Sequence, residues 1–153
     1  MSGYDLYFDD FKVGDRFDTH GMTVTESQII DFALQWDPQP FHVNVEAAKR
    51  HALKGLFASG FHTICVTFRL FLASGVLAKC NFASPGFENI RWLIPVRPGD
   101  TLRVETEILK CTPSQSKPDR GSLLTRHYTI NQKGETVMTS ECYHIVRKRP
   151  GTY

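Results

Sequence analysis

The stretch GFHTICVTFRLFLASGVL, residues 60–77, is apolar on nearly every side when it is drawn as a helix. A helix that is hydrophobic all round is buried on most faces, and a sheet wrapped around it can provide that burial. Arg69 interrupts the apolar run, which also falls slightly short of a comfortable membrane span. Ser59, directly before the run, is a candidate N-cap. The sequence therefore predicts a buried core helix that begins at Gly60.

After this helix the apolar residues change to the two-residue period of β-strands. Four strands are predicted, over 89–94, 101–109, 122–131 and 136–148. Pro95 and RPGD (97–100) mark a turn between the first two strands, and QKGE (132–135) marks a hairpin turn between the last two. The order of helices first and strands later predicts an α+β chain. Its strands are expected to form an antiparallel meander that curves around the long helix.

Two shorter helices are predicted before the core helix. Thr25 and Gln28 have the spacing of a capping box, and apolar residues then recur at helical intervals up to Trp36. This pattern predicts a helix from about residue 26 to about residue 36, and a further short helix is expected over 45–51.

The segment WDPQPFHVN (36–44) separates these two helices. A proline disfavours the α conformation in the residue before it, so Pro38 and Pro40 predict an extended loop from Asp37 to His42. A carboxylate and a neutral imidazole held together can share one water, which suits the addition of water to an activated double bond. Spacing alone leaves a second interpretation open, in which the aspartate only ends a helix and the histidine is packed.

Length and composition limit the function classes. A chain of 153 residues with 41% hydrophobic and 22% charged residues fits one globular domain, predicted to span 1–153 with its core at about 11–147. A net charge of +2 gives no reason to expect nucleic acid or a membrane as a partner. The four cysteines are far apart and the N-terminus lacks a signal-peptide pattern, so reduced thiols and a cytoplasmic location are expected. No metal-ligand or dinucleotide motif is found, and therefore no metal and no cofactor is predicted.

Three segments together resemble the MaoC-like family of (R)-specific enoyl-CoA hydratases and related acyl dehydratases. WDPQPFHVN resembles the hydratase signature of that family, and LFASGFHTICVTF (56–68) resembles the segment that opens its long central helix. RWLIPVRPGDTLRVETEI (91–108) closely resembles its strand, turn and strand element. The resemblance implies a single hotdog fold, in which a curved antiparallel sheet wraps around the central helix.

The resemblance also implies roles for individual residues. Asp37 and His42 match the catalytic pair that binds and activates water. Gly60 matches the glycine whose N–H binds the thioester oxygen, a role consistent with the positive end of a helix dipole. Gln39 and Asn44 stand where the family usually has Asn and Asp. The candidates for oxyanion or substrate binding are therefore Gly60, Gln39, Asn44 and Ser59.

The implied reaction is the reversible hydration of a 2-enoyl thioester to a 3-hydroxyacyl thioester, with acyl-CoA or an acyl-carrier thioester as substrate. The bulk of Trp36 and Phe41 suggests that the acyl group is restricted. A homodimer is expected, because a single hotdog leaves a sheet edge uncovered. Two alternatives stay open: a non-catalytic acyl-thioester-binding protein or subunit, and a thioesterase. The second is disfavoured because the core helix contains no Asp or Glu.

Overall fold

The structure is a computed structural model that describes residues 3–153; residues 1 and 2 of the predicted domain lie outside the described residues. The helices are α1 (Glu26–Trp36), α2 (Pro40–Val43), α3 (Val45–Arg50) and α4 (Gly60–Ala73), with a 3₁₀ turn at Phe8–Asp10. The strands are β1 (Arg16–Asp18), β2 (Met22–Thr23), β3 (Asn81–Trp92), β4 (Thr101–Pro113), β5 (Arg120–Ile130) and β6 (Thr136–Arg147).

The sheet is antiparallel, with the strand order β1-β4-β5-β6-β3 and the short β2 paired with β4. Strands β4, β5 and β6 form the predicted meander. The prediction that β3 belongs to it is wrong, because β3 pairs with β6 at the far edge of the sheet. The turn around Pro95 therefore joins strands that are not neighbours. Alternation shows that a segment is a strand, but it carries no information on which strand lies beside it.

Strand β3 also begins eight residues earlier than the predicted 89–94, at Asn81. The missed part contains Pro85 and Gly86, which argue against a strand in the sequence. The structure accommodates them because β3 lies at an edge and its pairing with β6 has register shifts, one of them between Ala83 and Gly86. Edge strands and bulges are the places where a sheet tolerates proline.

The core lies between α4 and the sheet. Leu102, Val104 and Ile108 of β4 are buried, as their alternation predicts, while the charged residues of β4 between them are partly exposed. Val66 and Leu70 of α4 pack against this face. Helix α4 ends at residue 73, before the predicted residue 77. A long helix wrapped by an antiparallel sheet is the expected hotdog fold. Among residues 3–153, no helix is long and apolar enough to cross a membrane.

The predicted extended loop from Asp37 to His42 is wrong in its second half. Gln39 is extended (φ −73°, ψ 142°), as expected for a residue before proline. Pro40, however, begins the short helix α2 that contains His42. Proline is favoured at the first position of a helix because its missing N–H would have no intrahelical acceptor there. His42 is therefore held by a helical turn.

Two further histidines, His127 on β5 and His144 on β6, are fully buried between the sheet and α4. The Thr125 hydroxyl lies 3.0 Å from Nε2 of His127 and 3.2 Å from Nε2 of His144. Nδ1 of His127 lies 2.9 Å from the Thr106 hydroxyl, and Nδ1 of His144 lies 3.1 Å from the Ser84 hydroxyl. Burial lowers the pKa of His144 to about 4, and burial together with the charge of His144 lowers the pKa of His127 to about 3.

Candidate active site

Asp37 and His42 meet across the turn between α1 and α2. The N–H of Asp37 donates to the carbonyl of Ala33 at 2.9 Å and ends α1, and the N–H of His42 donates to the carbonyl of Gln39 at 2.9 Å. These two turns bring Nε2 of His42 to 3.4 Å from Oδ2 of Asp37. The prolines therefore stop one helix, start the next and fix the acid and the imidazole side by side.

The other ring nitrogen of His42 is held by the backbone. Nδ1 lies 2.7 Å from the carbonyl oxygen of Phe57, and a carbonyl can only accept, so Nδ1 carries a hydrogen. In the neutral ring, Nε2 then presents a lone pair toward Asp37. The rings of Phe41 and Phe57 pack against the imidazole in T-shaped contacts, and His42 is 4% exposed. The tautomer and the orientation of His42 are thus both determined.

Two side chains hold the carboxylate of Asp37. Nε2 of Gln39 donates to Oδ1 at 2.7 Å, and the Ser59 hydroxyl donates to Oδ2 at 2.6 Å. Burial raises the pKa of Asp37, but the two hydrogen bonds and the charge of His42 outweigh burial and leave the pKa below its ordinary value. Asp37 is therefore a carboxylate at neutral pH, and each of its oxygens keeps a lone pair for a further donor.

Ser59 also connects this carboxylate to the start of α4. Its hydroxyl oxygen accepts from the N–H of Phe61 at 3.2 Å, so it is the N-cap that the sequence predicts. Gly60 is the first residue of α4, where a backbone N–H has no acceptor within the helix. The helix dipole adds positive potential at this end. The Asp37 carboxylate and the positive end of the core helix therefore lie next to each other.

Gly60 is in direct contact with the indole ring of Trp92. A Cβ added at Gly60 would lie 2.5 Å from Cε2 and 2.6 Å from Nε1 of Trp92, closer than atoms can approach. The indole N–H also donates to the carbonyl of Gly60 at 3.1 Å. Only glycine leaves room for this ring at the first turn of α4.

A cavity of about 380 Å³ opens in front of these groups. Its polar side is formed by Asp37, Gln39 and His42, and Gly60 lies beside them. Most of the remaining wall is apolar and includes Phe57, Phe61, Trp92 and Leu93. Among its lining residues in the described part of the chain there is no lysine and no arginine. Within residues 3–153, no group of three His, Cys, Asp or Glu side chains could hold a metal ion.

The structure brings most of the predicted site residues together. Asp37, Gln39, His42 and Gly60 line the cavity, and Ser59 lies directly behind Asp37. Asn44 is not among the lining residues: its Oδ1 accepts from the N–H of Ala47 at 2.9 Å and caps α3.

Sequence reasoning missed the carbonyl of Phe57 and the ring of Trp92. A backbone carbonyl has no sequence signal, and the sequence placed Trp92 only within the predicted strand 89–94.

Comparisons with known proteins identify a family and similar structures. The family model described as MaoC like domain matches residues 10–126. The crystal structure of a MaoC-like dehydratase from Rhodospirillum rubrum is similar, with 44% identity and a TM-score of 0.88, covering 95% of this chain and 99% of that one. A structure described as monoamine oxidase regulatory protein, from Archaeoglobus fulgius, has 28% identity and a TM-score of 0.84, covering 95% and 96%. The uncharacterized protein YdeM of Bacillus subtilis is 29% identical over 94% of this chain and 100% of its own length.

Proposed function

Because the chain belongs to the MaoC like domain family, we propose that it is a hydratase or dehydratase, which adds water reversibly to a 2-enoyl thioester to give a 3-hydroxyacyl thioester. The observation that carries this proposal is the 3.4 Å approach of His42 Nε2 to Asp37 Oδ2 at the wall of a cavity that also contains the start of α4. The similarity to the Rhodospirillum rubrum protein, which is described as a dehydratase, supports it.

The facing lone pairs of His42 and Asp37 support the binding of a water between them. When His42 is neutral, with Nδ1 donating to Phe57, its Nε2 and the carboxylate of Asp37 are both acceptors, and two acceptors at 3.4 Å repel each other. A water that donates one hydrogen to each relieves this repulsion. Its oxygen lone pairs then point into the cavity, toward the β-carbon of an enoyl thioester.

Hydration follows with a balanced transfer of protons. The water oxygen bonds to the β-carbon while Nε2 of His42 takes the proton. The resulting imidazolium is stabilised by the charge of Asp37 and by the carbonyl of Phe57. The electron pair of the double bond moves toward the thioester carbonyl, and the α-carbon then receives the proton from the Asp37 and His42 pair. Dehydration is the reverse of these steps.

The start of α4 is suited to the negative charge that develops on the thioester oxygen. A backbone N–H at Gly60 with no intrahelical acceptor, together with the helix dipole, can stabilise this oxygen as an oxyanion hole does. No cofactor is required, because the chemistry needs only proton transfer and a hydrogen-bond donor.

We further propose that the protein acts as a homodimer on acyl-CoA in the cytoplasm. Strand β3 pairs with β6 on one side, and its other edge has no partner strand within residues 3–153. Its twelve residues offer a row of backbone groups to a second copy. Sedimentation should give a dimer at micromolar concentration. A monomer under those conditions would contradict this part of the proposal.

Replacing either member of the pair tests the reaction. Asp37→Asn and His42→Ala should each reduce hydration of crotonyl-CoA by roughly 10²- to 10⁴-fold, because the first removes the charge that stabilises the imidazolium and the second removes the base that takes the proton from water. The exposed residues Asp31 and His20 provide matched controls, and Asp31→Asn and His20→Ala should keep full activity.

Full activity in both Asp37→Asn and His42→Ala would contradict these roles. Tight binding of acyl-CoA without turnover by the native protein would instead favour the non-catalytic alternative.

A further inference from the structure

The Trp92 indole lines the cavity next to Gly60. Its N–H donates to the carbonyl of Gly60, and the ring packs on the glycine so closely that a Cβ there would be 2.5 Å away. The ring is therefore held by both a hydrogen bond and a contact. If the thioester oxygen binds at the N–H of Gly60, every acyl group must pass beside this indole.

The apolar residues around Trp92 form the open side of the cavity. Trp92 is 52% exposed, and the neighbouring Phe61 and Leu93 are 61% and 57% exposed. Trp92 is the largest of the residues that line the cavity. Removing its side chain is the single change that would enlarge the cavity most.

The charge of the lining limits the acyl group as well. The described lining residues include the Asp37 carboxylate and no lysine or arginine. A carboxylate on the acyl group would lose its hydration and be repelled by the charge of Asp37. No cation in the lining would compensate for either cost. The cavity is therefore suited to an uncharged acyl group.

We propose that Trp92 determines specificity by limiting the substrate to short, uncharged acyl groups, an inference that rests on the proposed function. The sequence suggested Trp36 and Phe41 for such a role, but neither is a lining residue. Trp36 is 71% exposed, and Phe41 stacks on Phe57 with ring centroids 5.2 Å apart. The restriction lies instead on the last residue of β3, opposite the first residue of α4.

The test compares Trp92→Ala, Trp92→Phe and the control Trp36→Ala. The kcat/KM values are measured on crotonyl-, hexenoyl-, octenoyl- and decenoyl-CoA. In Trp92→Ala the ratio of decenoyl- to crotonyl-CoA should rise by about tenfold or more, since a few methylene contacts in an apolar pocket give discrimination of that size. Trp92→Phe retains a ring and should keep the native preference for short chains, as should Trp36→Ala.

A uniform loss on all chain lengths in Trp92→Ala, with the ratio unchanged, would show that Trp92 has only a structural role. Sedimentation of the same variant shows whether a changed assembly causes such a loss. An enoyl-CoA with a terminal carboxylate should remain a poor substrate of the native protein and of Trp92→Ala. Efficient hydration of it by the native protein would contradict the restriction to uncharged groups.

Binding separates this inference from the proposed reaction. Dissociation constants of saturated butyryl-, hexanoyl-, octanoyl- and decanoyl-CoA need no turnover. In Trp92→Ala, the dissociation constant of decanoyl-CoA relative to that of butyryl-CoA should fall by at least about tenfold. This result would support the role of Trp92 even if the native protein hydrated nothing. Conversely, Asp37→Asn could abolish hydration while Trp92→Ala changes neither the kcat/KM ratio nor the ratio of dissociation constants between long and short chains. The proposed reaction would then stand, and the role of Trp92 would be wrong.

Discussion

His42 and the pair His127 and His144 differ in how their ring nitrogens are bound. In the buried pair, each nitrogen lies within 3.2 Å of a hydroxyl of Ser84, Thr106 or Thr125. In His42, one nitrogen is bound to a backbone carbonyl and the other faces a carboxylate at a cavity. The hydrogen bonds of the buried pair stabilise the fold while both imidazoles are neutral. His42 retains a lone pair with which it can accept a proton.

The buried pair has a hydrogen-bond pattern that is complete in the neutral form. The Thr125 hydroxyl donates to the carbonyl of Cys142 at 3.2 Å, so both Nε2 atoms donate to Thr125. The two Nδ1 atoms then accept from the hydroxyls of Ser84 and Thr106. Protonation would place a donor opposite a donor in the core. This arrangement agrees with the lowered pKa values.

The largest effect that we expect is a loss of stability in acid. The pKa values of His127 and His144 fall from 6.5 to about 3 and about 4 on folding, so the unfolded chain binds more protons below pH 6.5. The free energy of unfolding should therefore fall by about 1.4 kcal/mol per pH unit for each histidine as the pH drops below 6.5, until the folded pKa values are reached. Urea denaturation at a series of pH values measures this slope.

The variant His144→Asn isolates one histidine in the same experiment. His62, whose pKa is also lowered by burial, adds to the slope of both proteins, so the difference between the two slopes belongs to His144 and its coupling to His127. The slope of the variant should be smaller. Equal slopes in the two proteins would show that His144 is protonated in the folded state.

A smaller loss is expected when the hydroxyl shared by the buried pair is removed. Thr125→Val keeps the shape of the side chain but leaves both Nε2–H groups and the Cys142 carbonyl without this partner. We expect a loss of about 1 to 3 kcal/mol in the free energy of unfolding, with kcat unchanged. Thr112→Val, at an exposed position of β4, is the matched control and should change stability little. A lowered kcat in folded Thr125→Val would mean that the two regions are coupled.

The sequence predicted the parts of this fold that depend on local patterns. The all-round apolarity of residues 60–77 predicted the core helix, and the alternation of 101–109 predicted the buried face of β4. The pairing of β3 with β6 was missed because it depends on contacts between distant residues. The helical turn at Pro40 was missed because the rule for residues before proline was applied beyond Gln39.

The candidate site shows the same difference between residues in local motifs and residues that are distant in the sequence. Asp37, His42 and Gly60 were found because the family resemblance places them in short motifs. The carbonyl of Phe57 and the indole of Trp92 act over separations of 15 and 32 residues, which no local spacing reveals. Asn44 lies within the motif, but the structure uses it as the cap of α3.

The smallest change in stability is expected at Ser59, whose replacement should alter the active site and leave the buried histidine pair unchanged. Ser59→Ala removes the donor to Oδ2 of Asp37 and the N-cap of α4. The loss of the cap should lower the free energy of unfolding by about 1 kcal/mol. The pKa of Asp37 should rise, because one of the hydrogen bonds that lower it is gone. The acidic limb of the pH profile of kcat/KM should therefore move to higher pH.

Ser59→Thr keeps a hydroxyl at this position and is the conservative comparison. It should restore the native acidic limb if the hydroxyl still reaches Asp37. The slope of the free energy of unfolding against pH near pH 5, about 1.4 kcal/mol per pH unit for each buried histidine, should be the same in both variants and the native protein. An unchanged acidic limb in Ser59→Ala would show that Asp37 does not control that limb.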